Sequence, residues 1–202
     1  MNRGTPGFET LYKDRLSDLC KIDYFSRADT LGLEHQHDAL KVLLYGVPYR
    51  VSSSGITDLS GKEINFAVGA VICQYILLSP KTVPCGEELI TFRELDGAGP
   101  LTGYFIENTQ KIIESAFSGK MNRLIDACHQ MGGISNERDT SYDVSVRFDM
   151  LPRIPIFLRY NDRDEAFPAQ CSLLFKQTAK SYLDLESLGI LGTFLVGNLI
   201  KQ

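Results

Sequence analysis

The segment YDVSVRFDML, residues 142–151, constrains the fold of this chain more than any other segment. Val144, Val146 and Phe148 fall on one side of an extended chain, and the residues between them are polar. Strict alternation of this kind is typical of a strand with one buried face, as found in antiparallel sheets. Two more β-runs, IPIFLRY and AQCSLLF, follow with a charged loop between them. The segment 142–175 therefore predicts antiparallel strands.

Helices are predicted on both sides of these strands from apolar residues at helical spacing. They cover residues 8–28, 64–78, 102–117 and 120–131, and a last helix has Leu188, Leu191, Leu195 and Leu199 at its apolar positions. Ser60 with Glu63 has the form of a capping box, and Asp184 with Glu186 is expected to cap the last helix. Two short β-runs are predicted about Gly46-Val47-Pro48.

Helices and strands are mixed without regular β-α alternation. We therefore expect an α+β fold with a mainly antiparallel sheet and helices packed mostly on one face, in a single globular domain over residues 1–202.

The charge and apolar content exclude several classes of protein. Lys and Arg number 21 against 25 for Asp and Glu, a formal charge of −4, which argues against a nucleic-acid partner. The longest apolar stretch, Ile64 to Leu78, is short for a membrane span, which needs about 20 residues. The polar start lacks the apolar core of a signal peptide, so we expect a cytoplasmic protein with no membrane partner.

The cysteines and histidines give weak signals for a metal site. A zinc or iron–sulfur site usually contains a close pair of cysteines, and the five cysteines of this chain form none. Buried reduced thiols are therefore the simpler interpretation. Cys85 lies in a turn sequence and is the thiol that we expect to be exposed. His35 and His37 would share one face of a strand and could hold a metal, but no third ligand is evident, and a surface loop is the simpler alternative. We expect no bound metal.

Asp162, Asp164 and Glu165 lie within four residues, between two predicted strands. Crowded carboxylates raise one another's pKa, which suits a metal ligand or a general acid. The alternative is a solvated hairpin loop with Arg163 as counterion. Phe167 at the end of the loop is bulky and apolar, so we expect it to pack and pin the loop, where binding groups would be preorganised.

Arg93 and Glu94 lie in ITFREL, within a strand predicted over residues 87–95. By alternation, Glu94 shares the face of Ile90 and Phe92, and a buried carboxylate requires a partner. The candidate partners are Arg147, Arg153 and Arg159. Arg93 and Glu94 would then be either part of a structural ion pair or an anchor beside a ligand pocket.

Several motifs together resemble an uncharacterised prokaryotic family, domain of unknown function 3786. They are YGVPYRV, QYILLSP, ITFREL, LTGYF, LPRIPIFLRYNDRDEAFPAQCSLLF and SYLDLES, and the resemblance spans roughly residues 10–200. It implies an anaerobic bacterial or archaeal protein. Some members carry a four-cysteine iron–sulfur segment like that of corrinoid methyl-transfer proteins, a segment that is absent here. The resemblance thus implies a link to corrinoid metabolism and no established activity.

These features lead us to expect a cytoplasmic small-molecule or cofactor-binding accessory protein. Its pocket would be bordered by the loop 161–167 and by Arg93-Glu94. Arg93 would hold an anionic group, and the acids of the loop a polar or cationic one. The alternatives are a metal-assisted or acid–base hydrolase or transferase using residues 162–165, and a docking module for a redox or methyl-transfer partner protein.

Overall fold

The computed structural model of the chain describes residues 6–137 and 139–202. Within this part of the chain the helices and strands form an α+β fold with two antiparallel sheets, which confirms the predicted class. The residues form two compact units. The first contains the described residues up to Cys85 together with Met150–Arg153 and Thr178–Ile190, and the second contains Gly86–Asp149, Ile154–Gln177 and Leu191–Gln202. A single domain over residues 1–202 stays a prediction.

The first unit is a four-stranded sheet with helices. Its strands pair in chain order, β1-β2-β3-β4, and all pairs are antiparallel. The elements are α1 (Pro6–Leu19), α2 (Ala28–Leu31), β1 (Glu34–Gln36), β2 (Ala39–Leu44), β3 (Val47–Ser52), β4 (Gly55–Asp58) and α3 (Phe66–Leu77).

Two predictions for the helices of this unit are wrong. The helix predicted over residues 8–28 ends at Leu19, and a 3-10 turn at Phe25–Arg27 precedes α2. The cap of α3 is Asn65, whose Oδ1 accepts a hydrogen bond from the amide of Ala67 at 3.0 Å. Ser60 instead lies in a turn, where its amide donates to Asp58 Oδ1 at 2.8 Å.

Within the first unit, polar contacts join the segments Met150–Arg153 and Thr178–Ile190 to the helices α1, α2 and α3. The hydroxyl of Tyr75 is fully buried, donates to Leu31 O at 2.8 Å and receives the amide of Arg153 at 3.1 Å. Arg15 donates to Ser187 Oγ and Asp184 Oδ2, both at 3.2 Å. Each buried donor therefore has an acceptor, as the low polarity of the surroundings requires.

The second unit is built on a five-stranded antiparallel sheet with the order β5-β9-β8-β7-β6. Its elements, in chain order, are β5 (Leu89–Thr91), α4 (Gly99–Asn108), α5 (Gln110–Phe117), α6 (Met121–Gln130), β6 (Ile134–Ser135), β7 (Val144–Leu151), β8 (Ile154–Asn161) and β9 (Gln170–Lys176). The predicted alternation of β7 is confirmed, because Val144, Val146 and Phe148 are all buried.

The last helix, α7 (Leu185–Leu199), begins in the first unit and ends in the second. Asp184 caps it as predicted, since its Oδ1 accepts the amide of Ser187 at 2.7 Å. The four leucines at its predicted apolar positions are buried. No helix in the described part of the chain has the length and apolar character needed to span a membrane.

Three aromatic rings pack together in the core of the second unit, two of them stacked. Phe92 and Phe105 lie 4.2 Å apart between ring centroids, and Phe175 meets both rings at about 6 Å. Gly192 of α7 lies against this cluster, where an added Cβ would come within 2.6 Å of Phe105 Cε2. The ring cannot move aside freely because it is stacked and buried.

We expect Gly192→Ala to destabilise the protein by about 1–3 kcal/mol through overpacking against Phe105. The matched control is Gly197→Ala on the same helix, where an added Cβ meets no atom within 4 Å. This control should be neutral or stabilising by up to about 1 kcal/mol, because alanine favours helix more than glycine does. Urea denaturation followed by circular dichroism measures both, and equal effects of the two substitutions would contradict the packing argument.

Candidate functional site

Asp162 follows the last residue of β8, and its carboxylate accepts three hydrogen bonds. We call this hydrogen-bonded place in the second unit the Asp162 corner. Its Oδ1 accepts hydrogen bonds from the amide of Gly119 at 2.7 Å, from the amide of Arg163 at 2.8 Å and from the hydroxyl of Tyr160 at 3.0 Å. Gly119 has a φ of +71°, and a Cβ there would lie 3.0 Å from the Arg163 guanidinium. The corner thus joins the charged loop to the turn between α5 and α6.

These contacts lower the pKa of Asp162. Partial burial acts in the opposite direction and raises it, but the hydrogen bonds from Gly119, Arg163 and Tyr160 and the charge of Arg163 stabilise the ionised carboxylate more. The crowded acids of this loop therefore do not give Asp162 the raised pKa of a general acid.

Asp164 folds the tip of the loop upon itself. Its Oδ1 accepts the amides of Ala166 and Phe167, both at 2.7 Å, while its own amide donates to Phe167 O at 3.0 Å. This is the local side-chain-to-backbone bonding typical of Asp in turns. Phe167 remains 65% exposed, so the prediction that its ring packs is wrong. Carboxylates hold the loop instead of an apolar contact.

Arg93 and Glu94 do not lie on a strand. β5 ends at Thr91, and Phe92–Glu94 form a 3-10 turn. Glu94 is exposed, and its Oε2 accepts both the amide and the hydroxyl of Thr91 at 2.7 Å, which lowers the pKa of Glu94. The prediction of a buried Glu94 paired with an arginine is therefore wrong.

The three arginines predicted to pair with Glu94 have other partners. Arg159 pairs with Asp139 and Arg147 with Asp149, while Arg153 donates to main-chain carbonyls of the first unit. Thr91 pairs with Leu174 in the middle of β9, whereas the charged loop begins beyond the pair Asn161 and Gln170. At about 3.3 Å per residue, these two positions on β9 are roughly 13 Å apart along the strand. A concavity shared by Arg93-Glu94 and the loop stays a prediction.

A groove of about 280 Å³ opens near the start of β7, on the side of the sheet edge formed by β6. We call it the β7 groove. Most of its lining comes from residues 135–137 and 139–146, and Ile125 of α6 completes it. The lining combines the carboxylates of Glu137, Asp139 and Asp143 with hydroxyl groups and the aliphatic side chains of Val144 and Val146.

Polar side chains at the end of β8 hold the lining of the β7 groove in place. Arg159 Nε lies 2.9 Å from Asp139 Oδ2, and its guanidinium stands 4.9 Å from the centre of the Tyr142 ring. Ser145 Oγ donates to the same Asp139 oxygen at 3.1 Å. Two residues on, Asn161 Oδ1 accepts the amide of Asp143 at 3.0 Å.

Asp162 connects the predicted acidic loop to this groove. Its amide donates to Asp143 Oδ2 at 2.8 Å. Sequence reasoning found Asp162 but missed the groove, since the lining residues match no motif. The one available signal is the polar run NERDTSYD, residues 136–143, directly before an alternating strand.

The possible metal ligands among the described residues, including the predicted histidines, form no cluster. In residues 6–137 and 139–202, no three His, Cys, Asp or Glu side chains are grouped to hold an ion. His35 lies on β1, but His37 lies in the following turn with a φ of 45°, so the two do not share a strand face.

The cysteines are free thiols, and the most deeply placed ones are poorly reactive. Burial raises the pKa of Cys73 and of Cys128 to about 12, and it raises the pKa of Cys171 as well. A thiol in this state supplies little thiolate for nucleophilic chemistry. Cys85 is exposed, as predicted.

The fold and the groove together define an α+β protein with a small polar surface site, and they match no catalytic constellation. Comparison of the sequence with protein families places it further: the chain belongs to the family described as Domain of unknown function (DUF3786), whose profile matches residues 23–198. No curated protein and no solved structure matches the chain.

We expect Asp162→Asn to destabilise the protein near neutral pH and progressively less in acid. The folded pKa of Asp162 lies below its unfolded value of about 3.9, so the ionised carboxylate contributes stability above that pH and loses it as the pH falls through the folded pKa. Urea denaturation of wild type and Asp162→Asn in steps from pH 7 to acid measures the difference.

Tyr160→Phe provides the check on the physical cause, because it removes one donor to Asp162 Oδ1. The pKa of Asp162, followed by NMR of its carboxyl carbon, should rise in this variant. An Asp162 pKa identical in wild type and Tyr160→Phe, with a pH-independent effect of Asp162→Asn, would show that these hydrogen bonds do not control the carboxylate.

Proposed function

We propose that this protein is a small-molecule-binding accessory protein and that the β7 groove is its ligand site. The proposal is supported mainly by the combination of a concave surface with preorganised polar groups. Arg159 and Asn161 hold Asp139 and Asp143 from a strand of the sheet, so these acceptors are already positioned whenever the contacts are formed. Preorganisation of this kind reduces the entropy that binding must overcome.

The lining favours a small ligand with hydrogen-bond donors. At about 280 Å³, the groove is just below the usual range of ligand pockets, about 300–1,000 Å³. Asp143 uses one carboxylate oxygen for the amide of Asp162, and its Oδ1 has no donor among the described residues. The Glu137 side chain is likewise exposed and without a donor in that part of the chain. An amine, amide or hydroxyl group would satisfy these acceptors.

We retain the other predicted binding residues as an extension of this site. Arg93 is exposed and forms no ion pair with any described residue, so it remains a candidate anchor for an anionic group. Asp164 and Glu165 are exposed at the loop tip, where they could meet a cationic part of a larger ligand.

The resemblance to a family associated with corrinoid methyl transfer extends the proposal to a role in anaerobic metabolism. A corrinoid macrocycle is larger than a drug-sized molecule, and a groove of about 280 Å³ is too small to enclose it. The residues of the groove therefore do not fit this cofactor, and the ligand that we propose is a smaller molecule. Visible absorbance of the anaerobically purified protein tests for a corrinoid bound elsewhere.

A docking role is the second candidate, and the exposed ring of Phe167 favours it. Hydrogen bonds to Asp164 Oδ1 fix the loop tip, so the ring is presented with little conformational freedom. Aromatic side chains in such positions are frequent anchors of protein interfaces. An enzymatic role for the same loop is less well supported, since Asp162 and Asp164 each use a carboxylate oxygen to bind main-chain amides.

We expect native mass spectrometry of anaerobically purified protein to detect a retained small molecule. Glu137→Ala should reduce its occupancy by about tenfold, the effect of losing one charge-assisted hydrogen bond. The matched control is Glu107→Ala, which removes the same charge from an exposed position on α4 outside the groove.

Three results would count against the groove. They are the absence of any retained molecule, equal loss in both variants, and a ligand unaffected by Glu137→Ala. Metal analysis of the same preparations tests the metal-assisted form of the enzymatic alternative, for which a bound divalent ion should be lost in Asp164→Ala.

A further inference from the structure

Residues 139–143 differ from the rest of the second unit in the way they are held. None of these five side chains is buried, whereas Val144, the next residue, is 5% exposed. Apolar burial is the main source of stability in a folded chain, and this segment has little of it beyond the half-buried Tyr142 ring. Segments with few buried apolar contacts open locally at low free-energy cost.

The contacts that do hold the segment are polar and come mostly from one strand. β8 provides the Arg159 pair with Asp139 and the Asn161 bond to the Asp143 amide, and Asp162, the residue after β8, donates its amide to Asp143 Oδ2. The ion pair is mostly covered, with 28% of the Arg159 side chain and 14% of the Asp139 side chain exposed. A pair covered to this extent is screened by salt much less than an exposed pair, and it is lost when either partner is removed.

The segment also forms one wall of the β7 groove, to which Asp139, Thr140, Tyr142 and Asp143 contribute. The wall carried by β7 is different, because Val144 and Val146 are buried and fixed in the sheet. One side of the groove is therefore rigid, and the other depends on a small set of polar contacts.

We propose that residues 139–143 form a polar strap that opens and closes one wall of the β7 groove, with Arg159 as the positioning residue that latches it. The guanidinium holds the strap at two points, the Asp139 carboxylate and the face of the Tyr142 ring. Releasing Arg159 frees the Tyr142 ring and leaves Asp139 bonded to the Ser145 hydroxyl and Asn136 O, while Asp143 stays bonded to Asn161 and Asp162. The gating role rests on the proposed function, but the latch itself can be measured without a ligand.

Hydrogen exchange of the full chain, read by mass spectrometry, tests the strap. Arg159→Gln should raise the exchange rate of the amides of residues 139–143 by about fivefold, as expected for the loss of one ion pair together with the contact to the Tyr142 ring. High salt should change this exchange little in either protein, because a mostly covered pair is screened much less than an exposed one.

The control is Arg147→Gln, which breaks the ion pair with Asp149 on the neighbouring strand β7. It should leave exchange of residues 139–143 unchanged. The proposal is overturned if Arg159→Gln exchanges like wild type in this segment, if Arg147→Gln raises it equally, or if exchange rises throughout β8 and β9. None of these results depends on whether a retained ligand is found, so the strap and the proposed function can fail separately.

Discussion

Burial of one face of β8 is the constraint on which the geometry of the second unit depends. β8 is the middle strand of the five, and Ile154, Ile156, Leu158 and Tyr160 are fully buried on its inner face. Because side chains alternate, this burial fixes Arg159 and Asn161 on the opposite face. A slip of one residue would exchange the two sets, at the cost of exposing four large apolar side chains. The contacts to Asp139 and Asp143 therefore rely on hydrophobic burial on the other side of the sheet.

A second regularity is the use of carboxylates to satisfy main-chain amides. Asp58, Asp162, Asp164 and Asp184 do so in turns and at a helix start, and Glu94 does so beside a 3-10 turn. Glu114 extends the pattern to the sheet, where its Oε1 accepts the amide of Cys171 at 3.0 Å. Part of the chain's acidic excess thus serves loop folding. A cluster of acids between two strands consequently indicates turn chemistry before it indicates catalysis.

The sequence predicted best those elements whose pattern is set by burial of a single face. The alternation of β7 and the leucines of α7 are long periodic signals, and both were confirmed. Short segments gave a weaker signal, because the pattern of three residues does not distinguish a strand from a 3-10 turn. The relevant clue was Thr91 three residues before Glu94, a capping-box spacing that outweighs apparent alternation. For α3 the same spacing misled, since Asn65 lies closer to the first helical residue than Ser60.

There is a physical reason why the β7 groove could not be predicted from the sequence. The lining residues that Arg159 and Asn161 contact are polar and not buried, so no periodic burial marks them, and these contacts form only through the pairing of β7 with β8. Binding groups commonly lie on loops that a rigid scaffold positions. Here the scaffold is the buried strand, and the loop contributes acceptors that the fold itself uses only in part. The oxygen of Asp143 that Asp162 does not engage is the simplest example, because its position is fixed by the protein while no donor among the described residues satisfies it.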